Sequence, residues 1–172
     1  MSKPFIGIKA IYYGEPLKTA VTASSLKTAI SSMTKVENIH QETWSYEQSD
    51  PEIEDYVNEL DGKIYYRDAK TAGSKTISFT LGIYDAATKA ELCGGKAEGD
   101  VWSSDDEIPL INKSIVAITK SGNTIVFTNA SIIAKAAAAS KNIGLGVTAT
   151  AMDNSADGVA DEYVFWEDVS KA

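Results

Sequence analysis

Apolar and polar residues alternate most regularly between Lys75 and Tyr84, where Ile77, Phe79, Leu81 and Ile83 fall on one side and Ser78 and Thr80 on the other. Successive side chains leave a strand on opposite faces, so this spacing predicts a strand with one face buried and one wetted. The pattern returns from Gly144 to Met152: Leu145, Val147, Ala149 and Ala151 share one face, Thr148 and Thr150 the other. Two β-branched runs, Ser114 to Lys120 and Thr124 to Ala130, are separated by Ser121-Gly122-Asn123. Glycine supplies the positive φ that a tight turn needs, and Ile, Val, Thr and Phe suit a pleated, half-buried surface, so the pair predicts a β-hairpin. The alanine-rich stretch after it reads as a linker to Gly144.

The remaining segments add shorter elements. Phe5, Ile6, Ile8, Ala10, Ile11 and Tyr12 predict an opening strand, stopped by Gly14 and Pro16. From Ser24 to Met33, Leu26, Ala29, Ile30 and Met33 recur at helical spacing, and Thr34 to Tyr46 leans towards strand. Asp50-Pro51-Glu52 resembles a helix start, followed by Ile53, Tyr56, Val57 and Leu60 at helical spacing, with a strand as the rival reading. Lys63 to Arg67 carries Ile64, Tyr65 and Tyr66, and a polar loop from Asp68 to Ser74 follows. Asp85 to Leu92 predicts a short helix capped by Asp85 and stopped by Gly94-Gly95. Such a helix is too short to stand alone and must lean on a sheet. Lys96 to Pro109 reads as a polar connection, Asp153 to Glu162 as an acidic loop, and Tyr163 to Trp166 as a last short strand. The sum is a mainly β, α+β chain with one or two short helices packed on it.

Composition narrows the function more than the fold. The 172 residues suffice for one core and nothing divides them, so residues 1–172 read as a single domain. Sixteen basic residues against twenty-four acidic ones leave a net charge of −8, which repels phosphate backbones and discounts a DNA-gripping role. The single Cys93 excludes an intramolecular disulfide and cannot build a structural zinc site by itself. No run approaches the ~20 apolar residues of a spanning helix, and the first residues lack a signal-peptide core, so a soluble protein without a membrane anchor, cytoplasmic at synthesis, is expected.

Motifs that carry chemistry are present only as fragments. Gly144-Leu-Gly146-Val-Thr-Ala149 has the letters of a dinucleotide turn, but that turn must open a helix, and here it opens a strand. Asp153, Ser155, Asp157 and Gly158 begin like a calcium loop, yet Val164 stands where a bidentate glutamate belongs. Gly73-Ser74-Lys75-Thr76 ends like a phosphate loop but lacks the required glycines. His40 is the only histidine and has no evident nucleophile beside it, and Cys93 reads as packing. An enzyme is therefore not expected, nor a cofactor or metal. Trp44, Tyr46, Tyr65 and Tyr66 suit either a core or a contact surface.

Several stretches together resemble the bacteriophage tail tube proteins, in particular a branch found in prophages of gut bacteria. They are Thr34 to Glu47, Tyr65-Tyr66-Arg67, Ile77 to Asp85, Thr88 to Gly95 and Lys141 to Ala151, and their order spans most of the chain. The resemblance implies a two-sheet β-sandwich or barrel with a flanking helix, related to the type VI secretion tube proteins, preceded by an N-terminal arm of about residues 1–16. It further implies a structural virion protein of the tail, made in the bacterial host cytoplasm. Its copies form hexameric rings that stack into a hollow tube for genome ejection, joined by tail proteins such as the tape measure and the terminator. Six copies at −8 carry −48 per ring, and an acidic lumen lets DNA pass without specific binding.

Under that reading the candidate subunit interface comprises Phe5, Trp44, Tyr46, Tyr65 and Tyr66, and Trp44→Ala should impair assembly without unfolding the chain. Asp105, Asp106, Glu107, Asp153 and Asp157 are the candidate acidic lumen or loop residues. The alternative is a monomeric β-sandwich module that binds a glycan or a protein through its aromatics.

Overall fold

Ile115, Val116, Ala117 and Ile118 are all buried, which a strand achieves only when layers cover both its faces. The computed structural model describes residues 2–107 and 109–172. In chain order the first elements are β1 (Ala10–Gly14), α1 (Ala23–Ile30), β2 (Thr34–Lys35), β3 (Ser45–Gln48), β4 (Glu52–Val57), β5 (Ile64–Thr71) and β6 (Lys75–Leu81). Then come α2 (Ala86–Cys93), β7 (Lys96–Glu98), β8 (Val101–Ser103), β9 (Ile111–Ile118), β10 (Thr124–Ala139), β11 (Asn142–Ala151) and β12 (Glu162–Phe165). A 3-10 turn at Val169–Lys171 follows.

Eight strands form one antiparallel sheet in the order β2-β1-β9-β10-β11-β6-β3, with β12 paired to the first part of β10. The sheet curls over a single main core. Ile11 and Tyr13 of β1, Ile115 and Ala117 of β9, and Phe127 of β10 meet Ile77 and Phe79 of β6 and Leu145 and Val147 of β11 there. Strands from the two ends of a sheet share a core only if the sheet folds back on itself, and a register shift between Phe127 and Ala130 gives β10 the necessary bend. The result is a mainly β fold, a β-sandwich with two short flanking helices.

Two devices join the halves. After β2 the chain crosses to the far half: the Val36 amide donates to the Ile11 carbonyl (2.9 Å) and the His40 amide to the Thr80 carbonyl (2.8 Å). Beside β12, the Tyr46 hydroxyl of β3 donates to the Glu162 carboxylate, which also pairs with Lys75 of β6 at 2.6 Å. Tyr46 is thereby part of the wall, its ring tilted against Phe127 at 6.2 Å.

The opposite face of β9 and β10 carries a smaller core, in which Val116, Ile118 and Val126 are covered by Leu26 of α1 and by Val169. Thr22 caps α1, accepting from the Ser25 amide at 3.1 Å while Ser25 accepts from the Thr22 amide at 2.9 Å. Asp85 caps α2, accepting from the Thr88 amide at 2.8 Å, and Gly94 ends that helix at φ 82°.

Several expectations need correction, among them the polar loop expected from Asp68, where β5 runs on to Thr71, and Ile83, expected on the buried face, which lies past the end of β6 and is exposed. The alanine stretch is not a linker but the second half of the 16-residue β10, laddered to β11 as far as Ala139 and Asn142; the cross-strand pairing overrides the low strand propensity of alanine. Residues 53–57 form a strand, because β5 pairs with them as a hairpin. The opening strand begins at Ala10 rather than Phe5. The residues before it are held against the body: the Ile6 amide donates to Ser121 Oγ (3.1 Å), and Asn123 Nδ2 donates to the Pro4 carbonyl (3.0 Å). Finally, the polar connection contains the small hairpin β7–β8, whose Trp102 donates to the Gly94 carbonyl at 2.9 Å and lies under Lys89.

Candidate subunit interface

Between β3 and β6 the chain leaves the body as the hairpin β4–β5, which forms a two-stranded sheet of its own. A two-stranded hairpin buries too little to hold itself together, so its shape depends on its base and its cross-strand pairs. At the base, the Ser49 amide donates to the Ser74 carbonyl (2.9 Å) and the Ser74 amide to Ser49 Oγ (2.8 Å). Gly73 permits this closure: a Cβ there would overlap the Ser49 carbonyl oxygen.

Along the hairpin, Arg67 grips Asp55 with two bonds of 2.5 and 3.0 Å, and Lys70 pairs with Glu54 at 2.7 Å. The Arg67 hydrogen bonds hold the Asp55 carboxyl below its usual range, and the Asp55 carboxylate raises Arg67 in turn. Tyr56 and Tyr66 pack ring to ring at 5.6 Å. At the tip the Asn58 amide donates to the Lys63 carbonyl (2.8 Å), and Gly62 takes φ 71°.

What the hairpin does not do is bury its apolar groups. Leu60 is 95% exposed, Tyr65 71% and Tyr66 57%, and Ile53, Val57 and Ile64 are about as open. The pairing register sets Tyr56 beside Tyr66 on one face, with Ile53 on the other, and pairs Val57 with Ile64 past a register shift; single exposed apolar residues are ordinary, but several on one element mark a contact surface. Neither face of β4–β5 lies against the body's core clusters among the described residues.

The five candidate interface residues therefore part company. Tyr65 and Tyr66 are neighbours on the hairpin, and Ile53, Tyr56, Val57, Leu60 and Ile64, inside the contact segment expected from Lys35 to Tyr66 but not among the five, are exposed beside them. Trp44 is half-buried against the main core. Tyr46 closes the seam with Glu162, and burial followed by that carboxylate pushes its hydroxyl above its usual pKa. Phe5 packs edge-on against Trp166 at 5.7 Å. A tyrosine-rich strand facing an Asn-to-Gly turn was the signal available for naming these residues one by one.

The candidate acids are all exposed. Asp105, Asp106 and Glu107 follow β8, with Asp105 and Glu107 beside a cleft of about 390 Å³ that Lys89 and Trp102 also line. Asp153 and Asp157 occupy the separate loop between β11 and β12.

Burial pushes the Cys93 thiol up despite the nearby Lys89 charge, and Sγ donates to the Ala134 carbonyl at 3.2 Å, which favours an inert thiol. His40 Nε2 is buried without a hydrogen-bond partner. Among the described residues no three His, Cys, Asp or Glu side chains converge as metal ligands, and no helix is long and apolar enough to cross a membrane.

No protein-family model matches the sequence, and no curated protein matches it.

Proposed function

We propose that the chain is a structural, self-assembling subunit of a phage tail tube, whose copies form hexameric rings stacked into a conduit for DNA. The observation that carries this reading is the β4–β5 hairpin, an element that exposes aromatic and aliphatic side chains with no cover from the other described residues. A projecting apolar hairpin is costly for a protein that works alone and useful for one that binds copies of itself. Rotationally repeated, heterologous contacts close into rings, and rings with complementary faces stack. The proposed setting is the virion tail, with assembly in the host cytoplasm beside tape-measure and terminator proteins. The exposed acids after β8 and between β11 and β12 are the candidates for the lumen surface, where negative charge keeps DNA from adhering.

The monomeric binding-module reading needs converging aromatics. Trp44, Tyr46 and the Tyr65–Tyr66 pair instead occupy the core margin, the seam and the hairpin. Negative-stain electron microscopy over a concentration series tests the proposal: rings or hollow tubes support it, and featureless single particles at every concentration count against it.

A further inference from the structure

Charge is distributed unevenly over this chain. Between Lys35 and Lys63 lie nine acidic residues and no Lys or Arg. Within the hairpin, Glu54 and Asp55 are neutralised by Lys70 and Arg67. Asp50, Glu52, Glu59 and Asp61 form no ion pair among the described residues, so even with Lys63 beside them the hairpin presents net negative charge around its exposed Leu60.

The opposite sign collects where the N-terminal segment meets the β9–β10 turn and the C-terminal 3-10 turn. Lys3, Lys9, Lys120 and Lys171 line a cleft of about 470 Å³ there, together with Glu167 and Asp168. Lys9 is occupied by Asp168 at 2.6 Å. Lys3, Lys120 and Lys171 form no ion pair among the described residues. Their backbones are fixed: Asn123 Nδ2 donates to the Lys3 carbonyl (3.3 Å), the Lys120 amide to the Ile6 carbonyl (3.1 Å), and the Lys171 amide to the Asp168 carbonyl (3.0 Å). Three unpaired lysines on a pinned scaffold stand out on a chain of net charge −8.

We propose that this lysine cleft receives the acidic tip of the β4–β5 hairpin, centred on Glu59 and Asp61, from a second copy of the chain, an inference that rests on the subunit reading above. Made head-to-tail, the contact leaves each copy with one tip and one cleft to offer, as a ring or a filament requires. Exposed ion pairs stabilise little individually, so burial of Leu60 and the neighbouring tyrosines supplies the adhesion. The charges steer the encounter and set the register, and association weakens as salt is raised.

The test is zero-length carbodiimide cross-linking of an equal mixture of nitrogen-15-labelled and unlabelled full-length chain, read by mass spectrometry of the digested peptides. The expected result is mixed-isotope peptides joining Glu59 or Asp61 to Lys3, Lys120 or Lys171. Mixed-isotope links confined to other surfaces overturn the tip-in-cleft contact while leaving self-assembly standing. Links within single isotopes only, at every concentration, overturn both. As a second readout, Lys120→Glu with Lys171→Glu lowers association about tenfold or more, and adding Glu59→Lys with Asp61→Lys in the same chain restores it; failure of that restoration counts against the contact.

Discussion

Tyr46 on β3 donates a hydrogen bond to the carboxylate of Glu162 on β12, joining two strands that share no backbone ladder. Lys75 supports the same carboxylate from β6. Hydrogen bonds to charged groups contribute about 1.5–3 kcal/mol when sheltered, and this one is only partly sheltered. Tyr46→Phe is therefore expected to lower folding stability by about 1–2 kcal/mol. Urea unfolding checks this: the midpoint falls with an unchanged slope. An unchanged midpoint shows that the Lys75–Glu162 pair holds the seam alone.

Gly73 touches the Ser49 carbonyl too closely for any side chain. Gly73→Ala must move the backbone at the base of the hairpin, which reorients β4–β5 while leaving β6 and β11 paired. The expected outcome is a modest loss of stability, about 1–2 kcal/mol, with a larger loss of assembly. Amide hydrogen exchange localises the change: faster exchange in residues 50–73 and native protection in β9 and β10.

Trp44 and Tyr66 make a contrasting pair. Trp44 packs on the main core, so Trp44→Ala opens a void at the core margin and costs about 2–3 kcal/mol. Tyr66 is 57% exposed, so Tyr66→Ala is expected to change stability by about 0.5 kcal/mol or less yet impair association. Thermal melting and sedimentation measured on both variants separate the two roles; equal melting temperatures for Trp44→Ala and the native chain would contradict its placement.

Lys9 pairs with Asp168, whose side chain is only 10% exposed. Burial pushes the Asp168 carboxyl up, but hydrogen bonds from Lys9 and Ser170 outweigh it and leave it below its ordinary 3.8. A carboxyl depressed in the folded state stabilises it above that ordinary value, and the contribution fades as pH falls from 3.8 through the lower folded value. At the alkaline end, burial, then the Glu91 charge and hydrogen bond, raise Tyr13 from 10.0 to about 12. A raised tyrosine stabilises the fold below its ordinary 10.0, and that contribution is lost as pH rises towards 12. Asp168→Asn is expected to flatten the acid limb of a stability–pH curve and Tyr13→Phe the alkaline limb. Limbs unchanged in those variants would assign the pH dependence to other groups.

Much of the sheet was legible because local rules agreed with tertiary structure. Ile77, Phe79 and Leu81 alternate as a half-buried strand should, and Asp85 and Gly94 bracket α2 with their own cap chemistry. The hairpin was not, for a physical reason. Ile53, Tyr56, Val57 and Leu60 fall at helical spacing, and register shifts after Glu52 and Tyr56 break the period-two signal that pairing would otherwise impose. Alanines 136–139 carry no strand signal of their own, and only the partner β11 makes them one. Exposure is likewise a tertiary property: no pattern in Trp44-Ser-Tyr46 or Tyr65-Tyr66 says which aromatic ends against Phe127 and which in solvent.

Sedimentation velocity over a wide concentration range, run on the native chain beside a variant in which residues 50–72 are replaced by a short Gly-Ser turn, tests most directly whether this is a self-assembling subunit that uses its hairpin. The expected result is growth of the native chain from its 18.4 kDa monomer into larger species as concentration rises, with the variant folded and monomeric throughout. A native chain that stays at the monomer mass at all concentrations, or a hairpin-less variant that associates equally well, would contradict it.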